Sequence, residues 1–543
     1  MLTPGPDIAS LRKGFTWDIP ERYNIGVDIC DKHAARNPDT CAIIDVDVDG
    51  KAREVSFGDL SAQAARLSHV LSGLAVRGER IGVLLPQCTD TAAAHIAILR
   101  MGCVSIPLFT LFGPDALRHR LRDAGAVAVI TDAEGAEKLA ALRDDLPDLQ
   151  AVFCTKGPVA GAVDLAAACA DKPDHFSPAD THADDPAILI YTSGTTGAPK
   201  GALHAHRVLL GHLPGVEMSH DFFPQPGDRI WTPADWAWIG GLLDVLMPAL
   251  HHGVPVVAHR FRKFSGEAAF DLIRRHGIRN AFLPPTALKL MRAADPGGPV
   301  PMRSVASGGE TLGKPLIAWG KEVFGCTINE FYGQTECNMI VSSCAAIAPA
   351  EPGVMGFAVP GHEVAVIDTE KAAFCPIGTE GSIAVRAPDP VMFLRYWNNP
   401  RATEEKFVTV DGHRWLVTGD RGALTASGRL RFIGRDDDVI TSGGYRIGPG
   451  EVEDCLLTHP AVQLAGVVGQ PDPMRGEIVA AFVQLAEGYA PSDALAAEIA
   501  AHVKTRLAAH EFPRAVYFID TMPLTTTGKI IRATLRKALP QTG

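Results

Sequence analysis

The stretch Tyr191–Gly201, "YTSGTTGAPKG", is entered from the apolar run "PAILI" and left through "ALHAHRVLLGHL". The apolar run reads as a buried strand that opens into a loop of glycines, small hydroxyls and one lysine. Gly194, Gly197 and Gly201 let the backbone turn tightly and aim N–H groups at an anion. Thr192, Ser193, Thr195 and Thr196 add hydroxyl donors, and Lys200 adds a mobile positive charge. Such a loop suits a phosphate. It is not a Walker A loop, because Pro199 and Gly201 occupy key places of that pattern. No G-x-G-x-x-G follows a strand, which leaves a Rossmann dinucleotide site unsupported. The bland alternative is a flexible glycine- and threonine-rich surface loop.

Outward from this loop, residues 80–155 alternate short β-like runs with helical patterns: "RIGVLLP", "DTAAAHIAILRMGC", "LRHRLRDAG", "AVAVITD", "AEKLAALRDDL", "AVFCT". That rhythm argues for a parallel α/β sheet covered on both faces, and it returns at "VPVVAHR", "FDLIRRHG" and "IRNAFLPP". From about residue 350 the texture changes to shorter strands and glycine turns. A compact α+β tail follows Asp436-Asp437-Asp438. The expected organisation is an N-terminal domain over residues 1–436, with a β-rich subdomain at roughly 350–436, and a small mobile C-terminal domain over 437–543.

The net charge of −11 argues against a nucleic-acid partner, while leaving room for an anionic small molecule in a locally positive site. Eleven scattered cysteines without a C-x-x-C pair read as reduced thiols of a cytoplasmic protein. The N-terminus lacks the apolar core of a signal peptide. The most apolar interior run, "WAWIGGLLDVLMPAL", is interrupted by Asp244 and two glycines and falls short of a membrane span.

Further motifs follow the loop in order: "SGGE" (Ser307–Glu310), "NEFYGQTE" (Asn329–Glu336), "TGD" (Thr418–Asp420), "GRDDD" and "PLTTTGKIIR" (Pro523–Arg532). Together with "YTSGTTGAPKG" they resemble the signatures of the adenylate-forming superfamily, which contains acyl-CoA synthetases, luciferases and peptide-synthetase adenylation domains. The resemblance spans about 340 residues, from Thr192 to Lys529. It implies an ATP site formed by the loop residues Thr192–Gly197 and Lys200, by Gly309 and Glu310 near the adenine, and by Glu330, Phe331, Tyr332, Gly333, Gln334 and Thr335. Tyr332 would stack near the adenine, Thr335 would contact the α-phosphate, and Glu336 would help hold Mg²⁺. Asp420 and Arg435 would hold the ribose, and Lys529 would be the catalytic lysine. Each of these residues alone has a plainer reading, as a turn or a solvated side chain, which the combination of motifs outweighs.

The implied reaction has two halves. A carboxylic acid and ATP give an acyl-adenylate and pyrophosphate, and a thiol then displaces AMP. A rotation about a hinge at Asp437 would bring "SGGYRIG" (Ser442–Gly448) to the site. Gly443, Gly444, Tyr445 and Arg446, with Arg475, would then meet coenzyme A. Glu511, standing where many relatives place a basic residue, departs from the pattern.

"SGGYRIGPGEVE" and the opening Trp17–Asn24 are most similar to the medium-chain acyl-CoA synthetases. In acetyl-CoA synthetases a tryptophan precedes the Q-T-E triplet; here Gly333 does, which leads to an acid larger than acetate: short- or medium-chain, branched or aryl-alkanoic. On this reading Gly333→Trp would shift preference toward acetate. Trp236, Trp238 and Gly240 are candidate acyl-pocket residues, with core packing the even alternative for the tryptophans. His204, His206, His251 and His252 lack carboxylate or cysteine partners at ligand spacing and read as solvated or hydrogen-bonded. The leading expectation is an ATP-, Mg²⁺- and CoA-dependent acid:CoA ligase, monomeric or homodimeric. The alternatives are an enzyme loading a carrier-protein thiol in trans and a non-catalytic nucleotide-binding relative.

Overall fold

The computed structural model describes residues 2–192, 199–309, 312–351, 353–436, 438–442, 445–472, 475–507, 511–525 and 528–540, with residues 441, 445, 446 and 451 in backbone only. The chain forms two compact units: residues 1–363 with 386–407, and residues 364–385 with 408–543.

The first unit holds a mainly parallel sheet in the order 395–396, 201–205, 186–191, 104–107, 80–84, 126–131, 151–154, 163–164. Arg80–Leu84 pairs in parallel with both Val104–Pro107 and Ala126–Thr131, as the alternation in the sequence requires. Every residue of Ala126–Thr131 is buried, because helices cover both faces of a parallel sheet and leave no side for polar residues. The helix Pro114–Ala124 stops at Gly125, whose φ of +59° closes the helix end at no Cβ penalty.

A second sheet of the same unit runs in the order 356–358, 337–342, 328–334, 304–308, 280–282, 230–231, 256–259, 41–46, 52–56. Its strands are parallel from Ile328–Gln334 to Cys41–Val46 and turn antiparallel at both ends. The apolar run in the sequence forms a helix over 239–252, and residues 241–250 are buried. Among the described residues no helix is long and apolar enough to cross a membrane.

The second unit begins with short antiparallel strands, among them His413–Leu424 paired with Arg429–Arg435. It continues as an α+β fold. The antiparallel hairpin Val462–Asp472 and Gly476–Leu485 is extended by Ala515–Phe518 in parallel and packed by Pro449–Leu456 and Asp493–Arg506. Arg532 anchors the chain just after the lysine loop. Its guanidinium donates to both Glu453 oxygens at 2.8 and 2.7 Å and to Asp438 at 3.4 Å. The expected hinge, Asp437, lies outside the described residues.

Candidate active site

The opening motif connects two antiparallel strands whose register pairs Tyr191 with Gly201. Thr192 closes the loop at its base: its N–H and its hydroxyl both donate to the Lys200 carbonyl, at 2.9 and 3.3 Å. Gly201 has no room for a side chain, since a Cβ there would lie 2.9 Å from Leu189 and 3.1 Å from the Tyr191 ring. The tip residues Ser193, Gly194, Thr195, Thr196 and Gly197 lie outside the described residues.

Lys200 extends from this base over the ring of Tyr396, with Nζ 4.8 Å from its centroid. The Tyr396 hydroxyl donates to Glu336 Oε1. The Phe393 N–H binds the Glu336 carbonyl at 2.8 Å, so the segment carrying Tyr396 is stitched to the turn carrying Glu336. Both side chains are buried, Glu336 at 8% exposure and Tyr396 at 2%. A cation, a phenol and a carboxylate from three separate segments thus converge. Glu336 presents a hard oxygen donor of the kind Mg²⁺ on a polyphosphate prefers, and Lys200 supplies a positive charge beside it.

Glu336 follows the strand Ile328–Gln334, which also carries the buried residues Glu330, Phe331 and Tyr332. Glu330 accepts from the Leu312 N–H at 3.3 Å, and Gln334 accepts from Lys406 at 3.3 Å. Thr335 is half-buried in the turn. Gly309 adopts a φ of +96° on the neighbouring strand end, a conformation that favours glycine. Glu310 lies outside the described residues.

In the second unit Asp420 and Arg435 face each other across a strand pair, 3.9 Å between Oδ1 and Nη1. Lys529 is exposed on a tight turn. Its N–H donates to Thr525 Oγ1 at 3.0 Å and its carbonyl accepts from the Thr525 N–H at 2.7 Å, with Gly528 at a φ of +85°. Arg475 is exposed, its N–H capped by Asp472 at 2.9 Å. Tyr445 and Arg446 lie on a short strand paired with Ile440–Ser442, while Gly443 and Gly444 lie outside the described residues. The structure therefore groups Lys200, Gln334, Glu336 and Tyr396 in one unit, and places Asp420, Arg435, Arg475 and Lys529 in the other.

The expected acyl pocket needs correction at Gly333. A Cβ at that position would lie 2.5 Å from both Asn338 Cα and Met339 N, so the missing side chain leaves no slot. The returning strand fills the space. Gly333→Trp would displace backbone and is not a clean test of chain length. Trp236 is a core residue at 1% exposure, whereas the half-buried Trp238 stands 5.6 Å from Phe109 and 6.0 Å from Phe112 in an aromatic cluster. A Cβ on Gly240 would lie 2.9 Å from the Phe282 ring and 3.5 Å from Asp244 Oδ2. His204 and His206 are buried at 0% exposure, and burial pushes His204 down to about 3, whereas His251 and His252 are only partly buried. His251 pairs with Asp28 at 2.6 Å and His252 with Glu217 at 3.2 Å. Among the described residues no cluster of metal-ligating side chains forms.

Tyr396 escaped the sequence reading, with no motif to flag it.

Tyr396→Phe keeps the ring under Lys200 and removes the hydroxyl from Glu336. We expect acid-dependent pyrophosphate exchange to fall about 10-fold, with a raised Mg²⁺ requirement, as for a lost hydrogen bond to a charged group. Exchange kinetics across a Mg²⁺ titration check this.

Comparison with known proteins bears on the same residues. The family model for AMP-binding enzymes matches residues 30–397, and that for the AMP-binding enzyme C-terminal domain matches residues 451–529. The acetyl-coenzyme A synthetase of Bacillus subtilis (strain 168) is 33% identical over 492 residues, covering 89% of this chain and 84% of the relative. The mitochondrial acyl-coenzyme A synthetase ACSM2 of Rattus norvegicus is 31% identical, covering 96% of this chain and 92% of the relative. The crystal structure of the anthranilate CoA ligase AuaEII in complex with anthranoyl-AMP superposes with a TM-score of 0.86 at 28% identity, covering 96% and 98% of the two chains.

Proposed function

We propose a substrate range and a division of labour for a chain that belongs to the AMP-binding enzyme family and is an AMP-forming acyl-CoA ligase. The reaction consumes ATP and a carboxylic acid to give an acyl-adenylate and pyrophosphate, then CoA to give the thioester and AMP. The observation that carries the assignment of roles is the convergence of Lys200, Tyr396 and Glu336.

Glu336 and the base of the 192–200 loop hold the polyphosphate end of ATP. Glu336 would hold the Mg²⁺ that travels with the nucleotide and offsets its charge, and the Tyr396 hydroxyl keeps that carboxylate turned toward it. Thr335 contacts the α-phosphate, and Asp420 and Arg435 hold the ribose. Lys529 bridges the substrate carboxylate and the α-phosphate, two anions whose approach it makes tolerable. Gly443, Gly444, Tyr445, Arg446 and Arg475 receive coenzyme A after the segment beyond Asp437 turns. The free cysteines accord with a cytoplasmic setting.

The acid is larger than acetate. What supports this is no longer an empty place at Gly333, but the likeness to an anthranilate CoA ligase, whose acid is larger than acetate. AMP release measured over straight-chain acids from acetate to decanoate and over aryl-alkanoic acids tests it. The expected result is at least about tenfold higher kcat/KM for a longer acid than for acetate, since each buried methylene is worth roughly 0.8 kcal/mol. Acetate as the best substrate would overturn the size assignment.

A further inference from the structure

One face of the helix Pro114–Ala124 grips both limbs of the phosphate loop. On the exit limb, His119 Nε2 stands 2.9 Å from the Pro199 carbonyl, which can only accept, so the ring donates. On the entry limb, the Tyr191 hydroxyl donates to Asp123 Oδ2 at 2.7 Å. His119 and Asp123 are four residues apart, the spacing that brings side chains onto one helix face. Tyr191 is buried at 3% exposure, and burial, together with the bond to Asp123, holds its phenol well above its ordinary range, so it stays a donor. The same aspartate reaches the other half of the site. Its carbonyl is one of the last of the helix, which the helix itself cannot satisfy, and it accepts from Trp397 Nε1 at 3.0 Å and from Asn398 Nδ2 at 2.9 Å. The Trp397 N–H in turn donates to the Gly201 carbonyl at 2.7 Å, and Tyr396 pairs with Ala202. Asp123 therefore joins the base of the loop to the strand whose Tyr396 hydroxyl meets Glu336.

We propose that Asp123 is a positioning residue for adenylation, which acts through Tyr191 to hold the entry limb of the phosphate loop in register with Lys200, Tyr396 and Glu336. The proposal rests on the reading of residues 192–200 as the holder of the ATP phosphates. At its base the loop is closed by the two bonds from Thr192 to the Lys200 carbonyl, and a hairpin loop held only there can rock about them. Donors aimed at a phosphate act fully only when they are held in place before the charge arrives. Bonds from one helix to both limbs remove the rocking, and the bonds at the Asp123 carbonyl fix the loop's distance from the strand behind Glu336.

The plainer role would be a prop that keeps this part of the sheet folded. Two assays on the full-length enzyme separate the roles. Pyrophosphate exchange reads adenylation, and acyl-CoA formation from synthetic acyl-adenylate reads a step that needs no polyphosphate. Asp123→Ala should raise the KM for ATP and for pyrophosphate about tenfold, the scale of a lost hydrogen bond to a charged group, and leave thioester formation from supplied adenylate largely unchanged. Tyr191→Phe deletes one oxygen and keeps the ring, so it should do the same even if the alanine variant fails to fold. The double variant should match the single ones within about twofold, because all three delete the same bond. Asp123→Asn keeps an acceptor for the hydroxyl and should restore most of the wild-type KM. Equal losses in both assays would show a prop and overturn the proposal. Additive losses in the double variant, no rescue by asparagine, or unchanged KM values in the single variants would overturn it as well. Lys200→Ala keeps the two readings apart. If it leaves both KM values unchanged, the phosphate-loop reading itself fails; if it raises them while Asp123→Ala and Tyr191→Phe do not, only this inference fails.

Discussion

Lys529→Ala should slow acyl-adenylate formation by roughly 10²–10³-fold or more, while largely sparing thioester formation from acyl-adenylate supplied directly. The first half-reaction drives a carboxylate onto a phosphorus surrounded by anionic oxygens. The lysine's charge counts most where that negative charge gathers, in the transition state, and removing such a donor costs rate more than binding. The second half-reaction starts from a mixed anhydride with no such repulsion to overcome. The turn makes the test clean. Its geometry is set by hydrogen bonds among main-chain groups of Thr525, Gly528 and Lys529 and by the Thr525 hydroxyl, and the Lys529 side chain is exposed, so alanine removes the charge without removing what shapes the turn. Pyrophosphate exchange reads the first half, and acyl-CoA formation from synthetic acyl-adenylate reads the second. Equal losses in both would show that Lys529 does not serve adenylation selectively.

Glu336→Gln should cost roughly 10²-fold in the same exchange assay, the scale of removing one electrostatic element of a preorganised site. The amide keeps the shape of the carboxylate and can still accept from the Tyr396 hydroxyl, so the turn tied to Phe393 should hold. What disappears is the negative charge that a hard cation requires. The deficit should therefore shrink as Mg²⁺ rises. A loss independent of Mg²⁺ would place Glu336 in the scaffold of the turn and away from the metal.

The parallel sheet around residues 80–131 was legible because burial on both faces leaves unbroken apolar strands, and those strands alternate with helices of clear period. The lysine turn was legible because threonine, glycine and lysine set its local geometry among themselves. Tyr396 was not. It meets Glu336 across 60 residues of sequence, and neither the tyrosine nor its surroundings forms a pattern that the distant partner completes. The interleaving of 386–407 with the first unit hides it further, since the flanking segments belong to the second unit and share its short-strand texture. Gly333 misled for a related reason. A glycine in sequence marks a missing side chain, but only the path of residues 338–339 shows whether space or backbone takes its place. Asp244 lay in plain view as a carboxylic acid inside an apolar helix, but its partner Asn338 is 94 residues away in the sequence.

The ligation runs in two steps through an enzyme-bound acyl-adenylate. It is tested most directly by following ATP, with the best acid of the panel, by phosphorus NMR before and after CoA is added. Acid-dependent exchange of pyrophosphate into ATP is expected without CoA, then stoichiometric AMP, pyrophosphate and acyl-CoA once CoA is present. Formation of ADP and phosphate, or exchange that requires CoA from the start, would contradict it.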